Sequence, residues 1–402
     1  VAVWQTHSSV IFVLVMFCFS IYVSHIMNAL SERTNLDFST AGQMQPAQPL
    51  QRLKGRGTAS NDAGRFEAFQ RTSFDDGWAR EDDDLPTLKT HVTPEIARTI
   101  IARNTSPDIS FDRSVNPYRG CEHGCTYCYA RPTHAYMGLS AGLDFESRLF
   151  AKTNAAELLR KELGVKGYQP ATLALGANTD PYQPVERQYR ITRAVLEVLN
   201  ETNHPVGIVT KSALVTRDID ILQEMAGKGL VKVALSITTL DHKLARKLEP
   251  RAATPGRRLQ ALELLSKAGI PTVVMTAPVI PAINDMEIEK LLGAAQVAGA
   301  REAGYVLLRL PHEIKDLFRD WLEREFPDRA KHVMNLVRDT RGGRDNDPNF
   351  GSRMSGRGPY AWQIGRRFEL ACKRLGLNVT RHKLRADLFQ RPVQPGEQLS
   401  LL

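Results

Sequence analysis

Cysteine is scarce in this chain of 402 residues, which has five. Five thiols, three of them crowded together, do not make a disulfide framework, so a small secreted scaffold is excluded. Acid is in deficit, with 44 Asp+Glu against 53 Lys+Arg and a net charge of +9. That balance favours encounter with nucleic acid or another polyanion. The surplus is spread along the chain, however, and Arg-rich enzymes can be basic for no specific reason. No Gly-x-Gly-x-x-Gly turn follows any candidate strand, which argues against a dinucleotide-binding sheet. Long apolar runs are nearly absent. Val10–Val23 (VIFVLVMFCFSIYV) is apolar except for Ser20. It is short for a membrane span unless it continues through Ile26. With no Lys or Arg before it and no Ala-x-Ala site after it, it is a poor signal peptide. We expect an over-extended start with the true one at or near Met27. A single-span anchor over residues 10–27 is the alternative, and without it no membrane attachment is expected.

What is present falls into four stretches: the apolar 1–26, an irregular 27–90, a core over 91–311 and a helical extension over 312–402. Residues 28–60 are rich in Gln, Pro, Gly and Ser and read as disordered. Within them, Lys54–Gly57 (KGRG) reads as a plain linker or a flexible basic arm. From residue 107 onward, short apolar runs alternate with amphipathic stretches. Candidate strands are Ala171–Gly176, Val206–Lys211, Val231–Thr238, Thr272–Val279 and Gly304–Leu310, with a weaker one near Arg113–Asn116. Asn154 with Glu157 resembles a capping box, and a Leu259, Leu262, Leu264, Leu265 stripe ends at Gly269. Six β/α units in series predict an α/β fold with a parallel sheet closed into a full or partial barrel. In such folds the chemistry sits at the carboxyl ends of the strands. The unusual residues fall there: Asn178, Thr179 and Asp180; Thr210, Lys211 and Ser212; Ser236 to Thr239; Asn284 and Asp285; Arg309, His312 and Glu313.

Cys121, Cys125 and Cys128 follow the first of these strands at C-x3-C-x2-C spacing, in NPYRGCEHGCTYCYARP. Structural zinc wants four ligands, so His123 or His134 would have to complete a tetrahedron. An iron–sulfur cubane takes thiolates readily, and three of them leave one iron open to a small molecule.

This loop, with Tyr127 just before the last cysteine, resembles the signature of the radical S-adenosylmethionine (radical SAM) superfamily. The resemblance covers roughly residues 100–320. NPYRGCEHGCTYCYARPTHAY, TDPYQPVER and TKS are closest to the spore photoproduct lyase-like and "DNA repair photolyase"-like branch. RTIIARNTSPDISFDRSVNPYRGCEHGC and LEPRAATPGRRL resemble an uncharacterised bacterial subgroup of it. The resemblance implies a partial (β/α)6 TIM-type barrel of the radical SAM kind with a helical C-terminal extension. It implies a [4Fe-4S] cluster on Cys121, Cys125 and Cys128, with S-adenosylmethionine chelated to the open iron. Reductive cleavage would give a 5′-deoxyadenosyl radical that abstracts a substrate hydrogen, the electron coming from a partner such as flavodoxin or ferredoxin in the cytoplasm. The backbone around Tyr127 would contact adenine. Asn178, Thr179 and Asp180 would stand where the superfamily holds the amino group, although the Gly-Gly-Glu type of motif is absent. Lys211 would reach the carboxylate and Ser236 the ribose. Lys211 read without the resemblance is an ion-pair member at a strand end.

One departure bears on the reaction. Ala177 stands where spore photoproduct lyase carries a hydrogen-returning cysteine, so thymine-dimer reversal by that route is not expected. Tyr182 or Tyr305 could donate instead, but both read better as core or stacking residues. The extension carries only Cys372, which excludes a multi-cysteine auxiliary cluster domain. Helices are expected over Ile314–Phe326, Arg329–Arg338 and Tyr360–Leu375. Arg341, Arg344, Arg353 and Arg357 lie in a Gly-rich loop between the last two, which either contacts phosphates or simply closes the barrel. The expected substrate is nucleic acid in a DNA-repair, lyase-like reaction. A protein, peptide or small metabolite is the first alternative, and a non-catalytic Fe–S carrier or sensor the second.

Overall fold

The computed structural model describes residues 53–67 and 88–393. Val10–Val23, Cys18 and the acidic Asp82–Asp84 lie outside them. The described residues form ten strands: β1 His91–Glu95, β2 Ile101–Arg103, β3 Arg113–Val115, β4 Tyr118–Arg119, β5 Arg148–Lys152, β6 Leu173–Leu175, β7 Val206–Thr210, β8 Val231–Ser236, β9 Thr272–Val279 and β10 Glu302–Leu307. Seven of them make one sheet in the order β10-β9-β8-β7-β6-β3-β2. Six run parallel in strict chain order from β3 to β10, and β2 adds antiparallel to β3. β2 and β10 are its edges, so the barrel is partial and open. β1, β5 and β4 form a smaller sheet.

All six expected core strands are present. Alternate positions of β6 to β9 are buried: Leu173, Leu175, Val206, Ile208, Val231, Val233, Leu235 and Val274 are all core residues, whereas Val209 is 36% exposed and β10 is half-buried up to Leu307. β10 leaves the ladder earlier than its sequence suggests. Its register shifts between Tyr305 and Leu307, and the Leu307 N–H bonds Met354 O instead.

Local signals were read partly right. Gly269 follows helix Pro255–Lys267 at φ +75°, and the Ile270 N–H reaches back to Leu265 O, the closure a left-handed residue permits. Leu262 and Leu265 of the stripe are buried, but Leu264 is 44% exposed. Asn154 does sit at the N-cap of helix Ala155–Leu163, yet its side chain caps nothing. Its amide instead exchanges two hydrogen bonds with the Ala97 backbone at 3.0 and 2.9 Å, pinning the chain between β1 and β2.

The extension is built into the barrel. Helices Ile314–Glu325 and Pro327–Asp339 place Ile314, Phe318, Trp321, Leu322 and Val337 in a core shared with Cys125, Tyr127, Ile280 and Leu308. Helix Gly358–Leu375 packs Ala361, Ile364, Phe368 and Cys372 into the main core. Among the described residues no helix is long and apolar enough to cross a membrane.

Lys54–Gly57 is neither a linker nor a free arm. Arg56 is 1% exposed and donates to Glu146 O at 2.7 Å and Leu88 O at 2.6 Å. The Gly57 and Thr58 amides both donate to the buried Glu146 carboxylate, at 2.9 and 3.0 Å. A carboxylate out of water needs such donors, and the segment is held because it supplies them.

Candidate active site: a cysteine loop at the barrel mouth

Cys121, Cys125 and Cys128 lie on the loop after β3 and β4, at the carboxyl end of the sheet. Gly120 at φ +74° and Gly124 at φ +65° let the chain double back twice within it. The amides of Gly124 and Cys128 close turns onto Cys121 O and Cys125 O. All three thiols are free, and Cys121 and Cys125 are buried.

The loop is held from four sides. Thr126 N bonds Leu248 O, and Arg251 N bonds His123 O. Glu122 accepts from Arg251 at 2.9 Å and from Thr90 at 2.6 Å. Gln183, from the TDPYQPVER run, bonds the Glu122 amide and Gly120 O. The Arg131 guanidinium donates to Cys125 O, Ala141 O and Gly142 O, and pairs with Glu146 at 2.5 Å, with both side chains fully buried. Against the turn lies Gly57, where a Cβ would meet Gly124 O at 1.8 Å.

The donor set fits a cluster. Burial pushes all three thiols up as free acids, and their mutual proximity adds to this for Cys121 and Cys125. Metal ligation relieves such a penalty by stabilising the thiolate. The Asp180 N–H is aimed at Cys121, and the Ala130 and Arg131 N–H groups at Cys128, as thiolate ligands prefer. Each histidine has one ring nitrogen engaged, and the buried Nδ1 of His134 has no partner. His123 Nδ1 is 3.3 Å from Asp180, and His134 Nε2 bonds Arg148 O at 3.0 Å. Among the described residues no three His, Cys, Asp or Glu side chains are arranged to hold one metal ion. A cubane makes no such demand, since each thiolate takes its own iron.

The other expected residues surround this loop. Asp180 accepts from Thr210 Oγ1, the Lys211 amide and the Tyr182 amide, at 2.7, 2.7 and 2.9 Å, besides facing His123. Burial works against its charge, but His123 and these donors prevail and hold it at about 2. Asp180 thus ties the ends of β6 and β7 to the cysteine loop. The Thr179 hydroxyl is spent on Tyr118 O, and the Asn178 amide on Asn116. Lys211 Nζ stands 5.8 Å from the Tyr127 ring centroid and 4.0 Å from Glu249, with a 3.4 Å bond to Ala277 O. Ser236 is buried on β8, and its carbonyl accepts from Arg258.

Sequence reasoning missed the centre of this arrangement. Glu249 receives Tyr127 OH, Thr238 Oγ1 and the Arg258 guanidinium, all of them buried. Burial raises the Glu249 carboxyl, but Arg258 and Lys211 overrule it and hold it at about 2. Glu249 and Arg258 both lie in LEPRAATPGRRL, a run quoted for likeness whose chemistry went unread.

Other strand-end polar groups are structural. Asn284 bonds Ile280 N, Thr238 O and Pro278 O; Asp285 accepts from Tyr360; Thr239 bonds Glu287. Tyr182 is fully buried, and Tyr305 stacks on Phe368 at 4.8 Å under Gly365. The phenol that reaches Ala177, through its carbonyl, is that of Tyr129.

The family model described as the Radical SAM superfamily matches residues 115–295. An uncharacterized protein of Mycobacterium tuberculosis is 33% identical over 296 residues, 73% of this chain and 81% of that one. A protein of Pseudomonas phage M6, the radical SAM Nalpha-GlyT isomerase, is 27% identical over 169 residues, 42% of this chain and 33% of that one. In structure the chain is similar to a spore photoproduct lyase mutant with bound AdoMet and dinucleoside spore photoproduct. The TM-score is 0.52 at 16% identity, covering 71% of this chain and 80% of that one, a likeness of fold. With the three-cysteine loop at the mouth of an open six-stranded β/α barrel, this chain belongs to the radical SAM superfamily, whose members use a [4Fe-4S] cluster and S-adenosylmethionine.

Proposed function

We propose that this radical SAM enzyme acts on nucleic acid, with Cys121, Cys125 and Cys128 each ligating one iron of the cluster. The observation that carries the cluster assignment is the enclosed loop of three free thiols, which among the described residues form no site for a single metal ion with any His, Asp or Glu. When bound and reduced by a one-electron donor such as flavodoxin or ferredoxin, the cluster and S-adenosylmethionine supply a carbon radical that takes a hydrogen atom from the substrate.

The chain's own part is positioning. Lys211 offers an ammonium beside Tyr127 for the cofactor carboxylate, and Ser236 a hydroxyl for the ribose. The backbone around Tyr127 offers its polar groups to adenine, fixed there by Glu249. The Asn178 side chain remains available to the amino group. Asp180 and Thr179 hold the scaffold beneath them. Free, clustered thiols suit a reducing compartment, the cytoplasm.

Support for a nucleic-acid substrate is the fold shared with spore photoproduct lyase, the net charge of +9 and the arginines around the mouth. Ala177 in place of a cysteine favours a reaction other than thymine-dimer reversal. The test is anaerobic. The reconstituted protein is given S-adenosylmethionine and dithionite, and 5′-deoxyadenosine is measured with and without single-stranded DNA, duplex DNA or RNA, against Cys125→Ala. The proposal expects cluster-dependent product that rises with one nucleic acid. Product stimulated by peptides or cell metabolites and by no nucleic acid would overturn the substrate.

A further inference from the structure

The far side of the mouth holds a group of charges that the cofactor reading does not use. Arg309 follows β10 and lies with its guanidinium 5.9 Å from the Tyr129 ring centroid, one residue past the last cysteine. Its one hydrogen bond is to Met354 Sδ at 3.8 Å, a weak acceptor. Its Nε is buried without a partner, as is that of Arg341. Arg341 is 3% exposed and gives its other N–H groups to four carbonyls: Leu307, Leu308, Ser352 and Arg353. Among the described residues no carboxylate lies within ion-pair distance of either guanidinium, the nearest influences being Asp108 on Arg309 and Asp347 on Arg341. Burial lowers both; Arg353 adds repulsion on Arg309 and Arg309 on Arg341, which comes to about 10, and Asp108 and Asp347 only partly oppose this.

Arg353 is different. Asp108 clasps it at 2.6 and 2.7 Å, bridging the β2 and β10 edges of the open sheet. Arg357 faces Asp347 at 3.7 Å. Four guanidinia thus meet two carboxylates, and the uncompensated ones are Arg309 and Arg341. Arg341 is buried and Arg309 half-buried, and cations withdrawn from water without a close anion favour the arrival of one.

The neighbours say which anion. Tyr129 is 47% exposed under Arg309, and Phe350 is 56% exposed with Arg353 4.6 Å from its ring centroid. Guanidinia interleaved with open aromatic faces suit a chain of alternating phosphates and bases. A free carboxylate would have no use for the rings.

We propose that Arg309, backed by Arg341, receives a backbone phosphodiester of a single-stranded or extruded nucleotide, whose base stacks on Tyr129 or Phe350. This rests on the nucleic-acid reading above and adds where the strand lies: across the gap between the cysteine loop and the 340–357 loop. Arg309 is here a substrate-binding residue beside the reacting centre.

The test is binding of a fluorescein-labelled single-stranded DNA of about 10 nucleotides to the reconstituted full chain, followed by anisotropy across a salt series. Arg309→Gln should weaken binding about tenfold and flatten the log–log salt slope by about 0.7, the share of one phosphate on a single strand. Arg309→Lys should regain part of the affinity. Without DNA, R309Q should melt at or above the wild-type temperature, because it removes an unpaired cation. Equal binding by R309Q and wild type would overturn the site and leave the nucleic-acid reading intact. No binding by either at low salt would overturn both. Loss of the S-adenosylmethionine-induced change in the reduced protein's EPR signal in R309Q would assign Arg309 to the cofactor carboxylate instead. Equal thermal collapse of R309Q and R309K would make it structural.

Discussion

The two sides of the barrel mouth are built on opposite terms. On the cysteine side every buried charge is answered. Glu146 has Arg131 and three donors from Gly57 and Thr58. Glu249 has Arg258, Tyr127 and Thr238, and Asp180 has His123, Thr210 and two amides. On the β10 side, among the described residues, Arg309 and Arg341 have no carboxylate at ion-pair distance, and each keeps a buried N–H idle. A satisfied network holds its shape alone and suits a permanently bound cofactor. An unsatisfied one stores a preference for a ligand that comes and goes.

Mutations on the satisfied side should therefore break the protein, and those on the other should not. Glu146→Ala should cost about 3–5 kcal/mol by stranding the buried Arg131, read as a large drop in melting temperature and lost iron content. Gly57→Ala should act in the same direction, since its new methyl meets backbone at 1.8 Å. Glu249→Gln should cost about 3 kcal/mol, because Arg258 loses its anion. It should also move the EPR signal of the reduced protein, because Tyr127 next to Cys128 loses its anchor.

A smaller effect sharpens the comparison through pH. Burial lowers both His134 and His204 from 6.5 to about 4. The unfolded chain then takes up protons that the folded one refuses, so stability falls as pH drops from 6.5 towards 4. Each histidine contributes at most about 3 kcal/mol across that window. His204 bonds Tyr168 and Pro205 O away from the mouth. His204→Gln should flatten the pH dependence of the melting temperature in this range and leave cluster content unchanged. The smallest change is expected for Arg309→Gln in the absence of DNA.

Legibility in the sequence divides along similar lines. The six core strands were readable because short β-branched and apolar runs alternating with amphipathic stretches leave few alternatives. The cysteine spacing was readable because it is local. Glu249, Arg258 and Glu146 were not, because a single carboxylate among 44 Asp+Glu shows nothing of partners far off in the chain. Tyr127 reaches Glu249, and Gly57 reaches Glu146, only once the chain has folded. KGRG looked like a linker because Gly and Arg are common in linkers. Its burial is set by a carboxylate that appears ninety residues later. The arginine group at the mouth was half visible. Its loop was noted, but Arg309 joins it only because β10 ends beside Met354.

The most direct test of the central claim is the EPR spectrum of the dithionite-reduced, reconstituted protein before and after S-adenosylmethionine is added. The account predicts a [4Fe-4S] signal that S-adenosylmethionine changes in the wild type and that Cys125→Ala loses. A signal indifferent to S-adenosylmethionine, or one retained intact in Cys125→Ala, would contradict a cluster held by three thiolates with its fourth iron open.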